Sequence, residues 1–137
     1  MQIIDRKIQL VAAVALTDID SRVLITKRPD NKHMGGLWEF PGGKLENKEK
    51  AEDALIRELY EELNIKTWKS CLAPLTFSTY DYQEFNLILL LFVCRKWDGV
   101  ITPNEGQDIK WVYSRELNKY PMPEADKPLI SILRDYI

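Results

Sequence analysis

Cysteine, histidine and long apolar runs are all scarce in this chain. Its 137 residues include two cysteines and one histidine. Cys71 and Cys94 lack the close spacing of a metal-binding pair, so both read as reduced thiols in apolar surroundings rather than as a disulfide. His33 stands alone in a loop segment and reads first as a surface residue. The longest apolar run, residues 87–94, is far too short to span a bilayer and reads as a buried strand. Residues 1–9 lack the apolar core of a secretory leader. Net charge is also nearly absent, at −2, so the basic footprint of a DNA or RNA polymer binder is missing. No repeat, linker or low-complexity tract divides the chain. What remains is a cytoplasmic protein without a membrane span. It forms a single domain over residues 1–137, large enough to bury a core.

The punctuation of the chain predicts its elements. Residues 8–16 and 23–26 are apolar and β-permissive, with a turn at Asp18 and Asp20 between them; the aspartates do not continue into a calcium loop. Residues 29–37 form a loop, and 38–40 extend into Pro41-Gly42-Gly43. A helix is expected over residues 48–63, where Leu55, Leu59 and Leu63 form one stripe with Ile56 beside it. Strands follow at 72–79, 85–96 and 109–113, with Asp98-Gly99 as a turn that suggests a hairpin. Trp97 and Trp111 read as packing residues. Proline at 121, 123 and 128 leads into a final helix carrying Leu129, Ile132, Leu133 and Tyr136 at helical spacing. Two helices covering a sheet make a single α/β domain.

The helix after Gly42-Gly43 carries the chemistry. Glu58, Glu61 and Glu62 are related by i, i+3 and i, i+4, so three like charges converge on one face despite their repulsion. Oxygen ligands gathered this way suit Mg²⁺ or Mn²⁺, which bind through a few carboxylates, waters and substrate phosphates. Glu58 and Glu62, one turn apart, are the expected ligand pair, with Glu61 assisting. Gly42 permits a close backbone approach, so its carbonyl is a further candidate ligand. Arg57, at i, i+4 from Glu61, is expected to pin that carboxylate, or to form an ordinary helix salt bridge. Glu49 is expected in the first helical turn, where it would favour the helix dipole. Phe40 and Tyr82 are candidates for stacking on a base, with core packing as the alternative.

The run from Gly43 to Glu49, seven residues, and then Arg57-Glu-Leu-Tyr-Glu-Glu-Leu-Asn-Ile resembles the Nudix box, over residues 43–65. Only the final glycine of that pattern departs: it is Asn64, the next residue type to favour the left-handed conformation that ends a helix. Lys27-Arg28, His33-Met34, Leu-Trp-Glu-Phe-Pro-Gly-Gly, Trp97-Asp-Gly, Glu105-Gly-Gln107, Tyr120-Pro121, Ala125-Asp126 and Pro128 are similar to the MutT branch of that family, so the likeness covers nearly the whole chain. The resemblance implies a Nudix fold, an α/β/α sandwich with a mixed sheet. It implies Gly42, Glu58, Glu62 and Glu105 as metal ligands, with Glu105 completing the site and serving as a candidate base. It also implies Arg28 as a nucleotide contact and a small nucleoside triphosphate as substrate; His33 is a candidate substrate contact, with a surface residue as the alternative, and a monomer is expected.

Asp126 departs from the asparagine of many oxidised-guanine enzymes of that branch. A carboxylate only accepts, and pairs well with a cytosine amino group; a protonated one also donates to oxidised guanine. A helix cap before Lys127-Pro128 is the structural alternative. Three functions follow as expectations. The first is a Mg²⁺-dependent pyrophosphohydrolase that sanitises oxidised nucleotides such as 8-oxo-dGTP. The second is a pyrophosphohydrolase of cytosine nucleotides. The third is a non-catalytic nucleotide-binding module, a class that tends to have lost the box glutamates, all present here.

Overall fold

The computed structural model describes residues 7–137. Residues 1–6, part of the expected domain and of the segment read against a leader, lie outside the described residues. The strands divide into two sheets rather than the one expected. In the first, β1 (Lys7–Leu16) runs parallel to β6 (Phe85–Cys94), from Lys7 opposite Phe85 to Leu16 opposite Cys94. The antiparallel strands β4 (Gly42–Lys44) and β5 (Ala73–Asp81) flank them, giving the order β4-β1-β6-β5. In the second sheet, β2 (Arg22–Lys27) lies between β3 (Trp38–Glu39) and β7 (Asp108–Tyr113), all antiparallel. The helices are α1 (Ala51–Leu63) and α2 (Lys127–Tyr136). No helix among the described residues is long and apolar enough to cross a membrane.

The central position of β1 explains why residues 12–16 are apolar without alternation: both faces are covered, as in parallel sheets. Ala12, Val14 and Leu16 pack with Leu55, Leu59 and Leu63 of α1. Ala13 and Ala15 join the cluster of Leu129, Ile130 and Leu133 from α2. The result is the expected α/β/α sandwich. Leu59 has no exposed surface, so truncating it to alanine costs about 2–5 kcal/mol. Trp97 and Trp111 stack at 6.2 Å within the α1 cluster, as packing residues. Cys94 is buried and Cys71 half-buried, and both are free thiols. The Asp18 carboxylate accepts the Asp20 and Arg22 backbone N–H groups, which makes the turn read there.

Three expectations shift. The chain turns at Asp98-Gly99, but β6 and β7 belong to different sheets; Asp98 instead bridges to Lys66 through paired backbone bonds of 2.8 and 3.0 Å. The true hairpin is β5-β6, closed by the Tyr82 N–H to Phe85 carbonyl bond. Helix α1 starts at Ala51 rather than 48, because Lys48 adopts a left-handed φ of 66°. In α2, Ile130 takes the buried place expected of Tyr136, which is exposed. The other end of α1 is as read: Asn64 is left-handed (φ 58°, ψ 33°), and its N–H caps the carbonyls of Leu59 and Tyr60.

Candidate active site

The glycine pair positions the acidic helix. Gly42 and Gly43 pair with Ala13 and Ala12 of β1, and the Gly42 φ of 149° is one that side chains rarely adopt. A Cβ on Gly43 would lie 2.5 Å from the Glu58 carboxyl carbon. The missing side chain is therefore the space in which Glu58 sits. Glu58 is largely buried and accepts a hydrogen bond from Arg57 Nη1 at 2.8 Å.

Arg57 keeps the expected i, i+4 ion pair with Glu61, but its hydrogen bonds go elsewhere. Its nearest partners are Glu49, through Nη2 at 2.9 Å and Nε at 3.0 Å, and Glu58; Glu61 is 3.5 Å away. The turn before α1 folds Glu49 back over the helix, so the strongest pair bridges eight residues instead of four. Glu49 precedes the helix and is no first-turn residue. It accepts the Glu46 N–H at 2.9 Å, and the Arg57 bonds hold its carboxyl down at about 2.

Glu62 is bonded to Glu58. Burial first, then that bond, then the charges of Glu58, Glu105 and Glu39, push its carboxyl well above the usual range. Glu105 lies in the exposed loop before β7. Among the described residues, no three His, Cys, Asp or Glu side chains are gathered in metal-ligand geometry. The donor set nonetheless fits a hard cation: it offers oxygen only, and Glu62 is held beside Glu58 and near Glu105 at an electrostatic cost that a divalent ion would relieve. Glu61 is exposed and does not line the cavity described next.

A cavity of about 580 Å³ lies beside these groups. Gly42, Gly43, Lys44, Glu62, Glu105 and Gln107 line it, together with Arg28, His33, Phe40, Tyr82, Leu87 and Asp126. It thus brings together nearly every residue singled out in the sequence; Arg57, Glu58 and Glu61 stand outside its lining. Phe40 is buried in the core as well as lining the cavity, so its two readings coexist. Tyr82 stacks on Phe85 with ring centroids 5.1 Å apart. Arg28 Nη1 bonds the His33 carbonyl at 3.3 Å, while the His33 residue is exposed.

Asp126 occupies the N-cap position of α2, yet makes no side-chain cap bond. Its carboxylate accepts the Phe40 backbone N–H instead. Burial first, then the Glu39 charge, raise its pKa to about 7, against the opposing effects of Phe40 and Arg28. Glu39, given no role in the sequence reading, acts on both Asp126 and Glu62. Arg28 Nε bonds it at 3.0 Å, and burial still raises its pKa. The register Thr26 opposite Glu39 brings this pair together. No sequence spacing signals it, although the alternation of strand 38–40 would have put Glu39 on the opposite face from its two aromatic neighbours.

The sequence pattern of the NUDIX domain matches residues 12–131. The chain is 39% identical over 102 residues to the 8-oxo-dGTP diphosphatase of Proteus vulgaris, covering 74% of this chain and 89% of that protein. It is 32% identical over 127 residues to the CTP pyrophosphohydrolase of Escherichia coli, covering 91% and 90%. A solved structure of MutT, from work on Aliivibrio salmonicida and Vibrio cholerae, superimposes with a TM-score of 0.79 at 34% identity, covering 96% of this chain and all of that one. The chain belongs to the NUDIX family and is a Nudix hydrolase of the MutT kind.

Proposed function

We propose that the chain is a divalent-cation-dependent nucleoside triphosphate pyrophosphohydrolase that acts on oxidised guanine nucleotides such as 8-oxo-dGTP, releasing the monophosphate and pyrophosphate. One observation carries the reading. A single cavity joins the carboxylates Glu62 and Glu105 to an enclosure of Phe40, Tyr82, Leu87 and the buried Asp126. The first group suits a polyphosphate with its cation, the second a planar base with a polar edge. The names of the relatives support the substrate class.

Glu58, Glu62, Glu105 and the Gly42 carbonyl would hold Mg²⁺ or Mn²⁺. Bound there, the ion supplies charge neutralisation and a more acidic water. Arg57 orients Glu58, to which Glu62 is bonded where it lines the cavity. Glu105 is the proposed base that takes the proton of the attacking water. Glu61, exposed and 3.5 Å from Arg57, is at most an auxiliary carboxylate. Arg28 and His33 contact the nucleotide from the cavity wall, and Asp126 reads the base edge. The acting unit is proposed to be a monomer, in the cytoplasm where nucleotide pools lie.

A cytosine nucleotide is the second reading, favoured by the acceptor-only chemistry of an ionised Asp126 and by the CTP-hydrolysing relative. Hydrolysis in labelled water, over 8-oxo-dGTP, dGTP and dCTP with Mg²⁺, tests both. Label in pyrophosphate with 8-oxo-dGTP fastest fits the proposal. Fastest turnover of dCTP selects the second reading; the proposal places attack at the β phosphorus, and label in the monophosphate contradicts it.

A further inference from the structure

The last four carbonyls of a helix have no partner within it. In α1 these belong to residues 60–63. The Tyr60 carbonyl accepts the Asn64 N–H at 3.1 Å, within the helix end itself. The other three are all taken by the loop that carries Glu105. Leu63 accepts the Thr102 N–H at 2.9 Å. Glu61 accepts from Asn104 Nδ2 at 2.9 Å. Glu62 accepts both the Asn104 N–H at 2.9 Å and Gln107 Nε2 at 3.2 Å. The Gln107 amide is used twice, because its Oε1 accepts the Glu105 backbone N–H at 2.9 Å.

This stitching opposes an electrostatic push. Glu105 is brought to the negative end of a helix whose last turn contains no basic residue, and whose Glu62 carboxylate faces the same cavity. Exposed in a loop, Glu105 would otherwise swing toward water. Of the contacts, only the Gln107 side chain links the Glu105 backbone directly to the Glu62 backbone. Gln107 needs both halves of its amide for that: a carboxylate at 107 could not donate to the Glu62 carbonyl, and an alkyl group could do neither.

We infer that Gln107 is a positioning residue for the hydrolytic reaction, fixing Glu105 against Glu62 through the end of α1. The inference rests on the proposed role of Glu105 and deepens it. Gln107→Leu retains side-chain bulk and leaves the Asn104 and Thr102 bonds in place, so the fold survives. Its kcat falls by about 10- to 100-fold, as for lost supports of metal-site groups, while KM stays within about twofold. Gln107→Glu does not rescue it. In Glu105→Gln the further change Gln107→Leu has little added effect, since the two act through one group. In the cation-free protein the Glu105 amide of Gln107→Leu loses its hydrogen-exchange protection, a readout independent of turnover.

A normal kcat in Gln107→Leu, beside a slow Glu105→Gln, overturns the inference and leaves the hydrolase reading standing. So does a loss that multiplies with that of Glu105→Gln, or an unchanged amide protection. A fully active Glu105→Gln removes the role of Glu105 itself, and the inference with it.

Discussion

Gly43 and Glu58 share one space: a Cβ on the glycine would sit 2.5 Å from the glutamate carboxyl carbon. Gly43 has no left-handed φ, so its backbone accepts alanine without strain. What must move is the far end of a flexible side chain. Gly43→Ala should therefore change thermal stability little, yet displace Glu58 from Glu62 and lower kcat/KM by about 10- to 100-fold. Parallel melting curves and kinetics check this. Wild-type turnover in a folded Gly43→Ala would show that the placement of Glu58 does not matter.

Arg57 and Glu49 predict an acid response. The folded carboxyl of Glu49 is held at about 2, below its ordinary 4.5. A depressed carboxylate stabilises the fold above its unfolded pKa, and that contribution fades as pH falls toward 2. Glu49→Gln should thus lower the melting temperature at pH 7 and flatten its decline between pH 4.5 and 2. Identical acid profiles for both proteins would deny the pair a structural role. Arg57→Lys should not restore the function, because an ammonium cannot present the two-pronged bond to Glu49 together with the bond to Glu58.

The sequence showed the site where its geometry is local. Glu58 and Glu62 converge because a helix puts them one turn apart, and Asn64 ends that helix because its residue type tolerates a left-handed φ. The i, i+4 pair of Arg57 with Glu61 was legible, but its closer partner Glu49 was not, because a turn and not the helix brings Glu49 to it. Glu39 went unassigned, and the cap reading of Asp126 failed, for a common reason. Both depend on residues 39 and 40 lying near Asp126, more than 80 positions away in the chain. The division into two sheets was hidden likewise, since composition does not say which neighbours β2 and β6 take and only the register does.

Asp126 gives a prediction about pH and about the base. Its folded pKa of about 7 lies above the ordinary 3.8. A raised carboxyl stabilises the fold fully below its unfolded pKa, and this is lost as pH rises through 7. Asp126→Asn, which carries no such charge, should be more stable than the wild type at pH 8 and should gain less at pH 4. It should also shift the kcat/KM ratio between 8-oxo-dGTP and dCTP by about 5- to 150-fold, because an unpaired buried polar group costs about 1–3 kcal/mol. An unchanged ratio would remove Asp126 from base recognition.

The most direct measurement is the rate of 8-oxo-dGTP hydrolysis in Mg²⁺ by the wild type and by Glu62→Gln. Glu62 lines the cavity, is bonded to Glu58, and is held with a raised pKa. Glutamine reproduces its protonated form in shape and hydrogen bonding, so the variant should fold at least as well by circular dichroism and melting. It should have almost no activity, because the charge that would hold a cation beside the phosphates is gone. Rapid hydrolysis by the wild type, with near-complete loss in a folded Glu62→Gln, is the predicted result. Equal rates in the two proteins, or no hydrolysis by the wild type, would contradict the account.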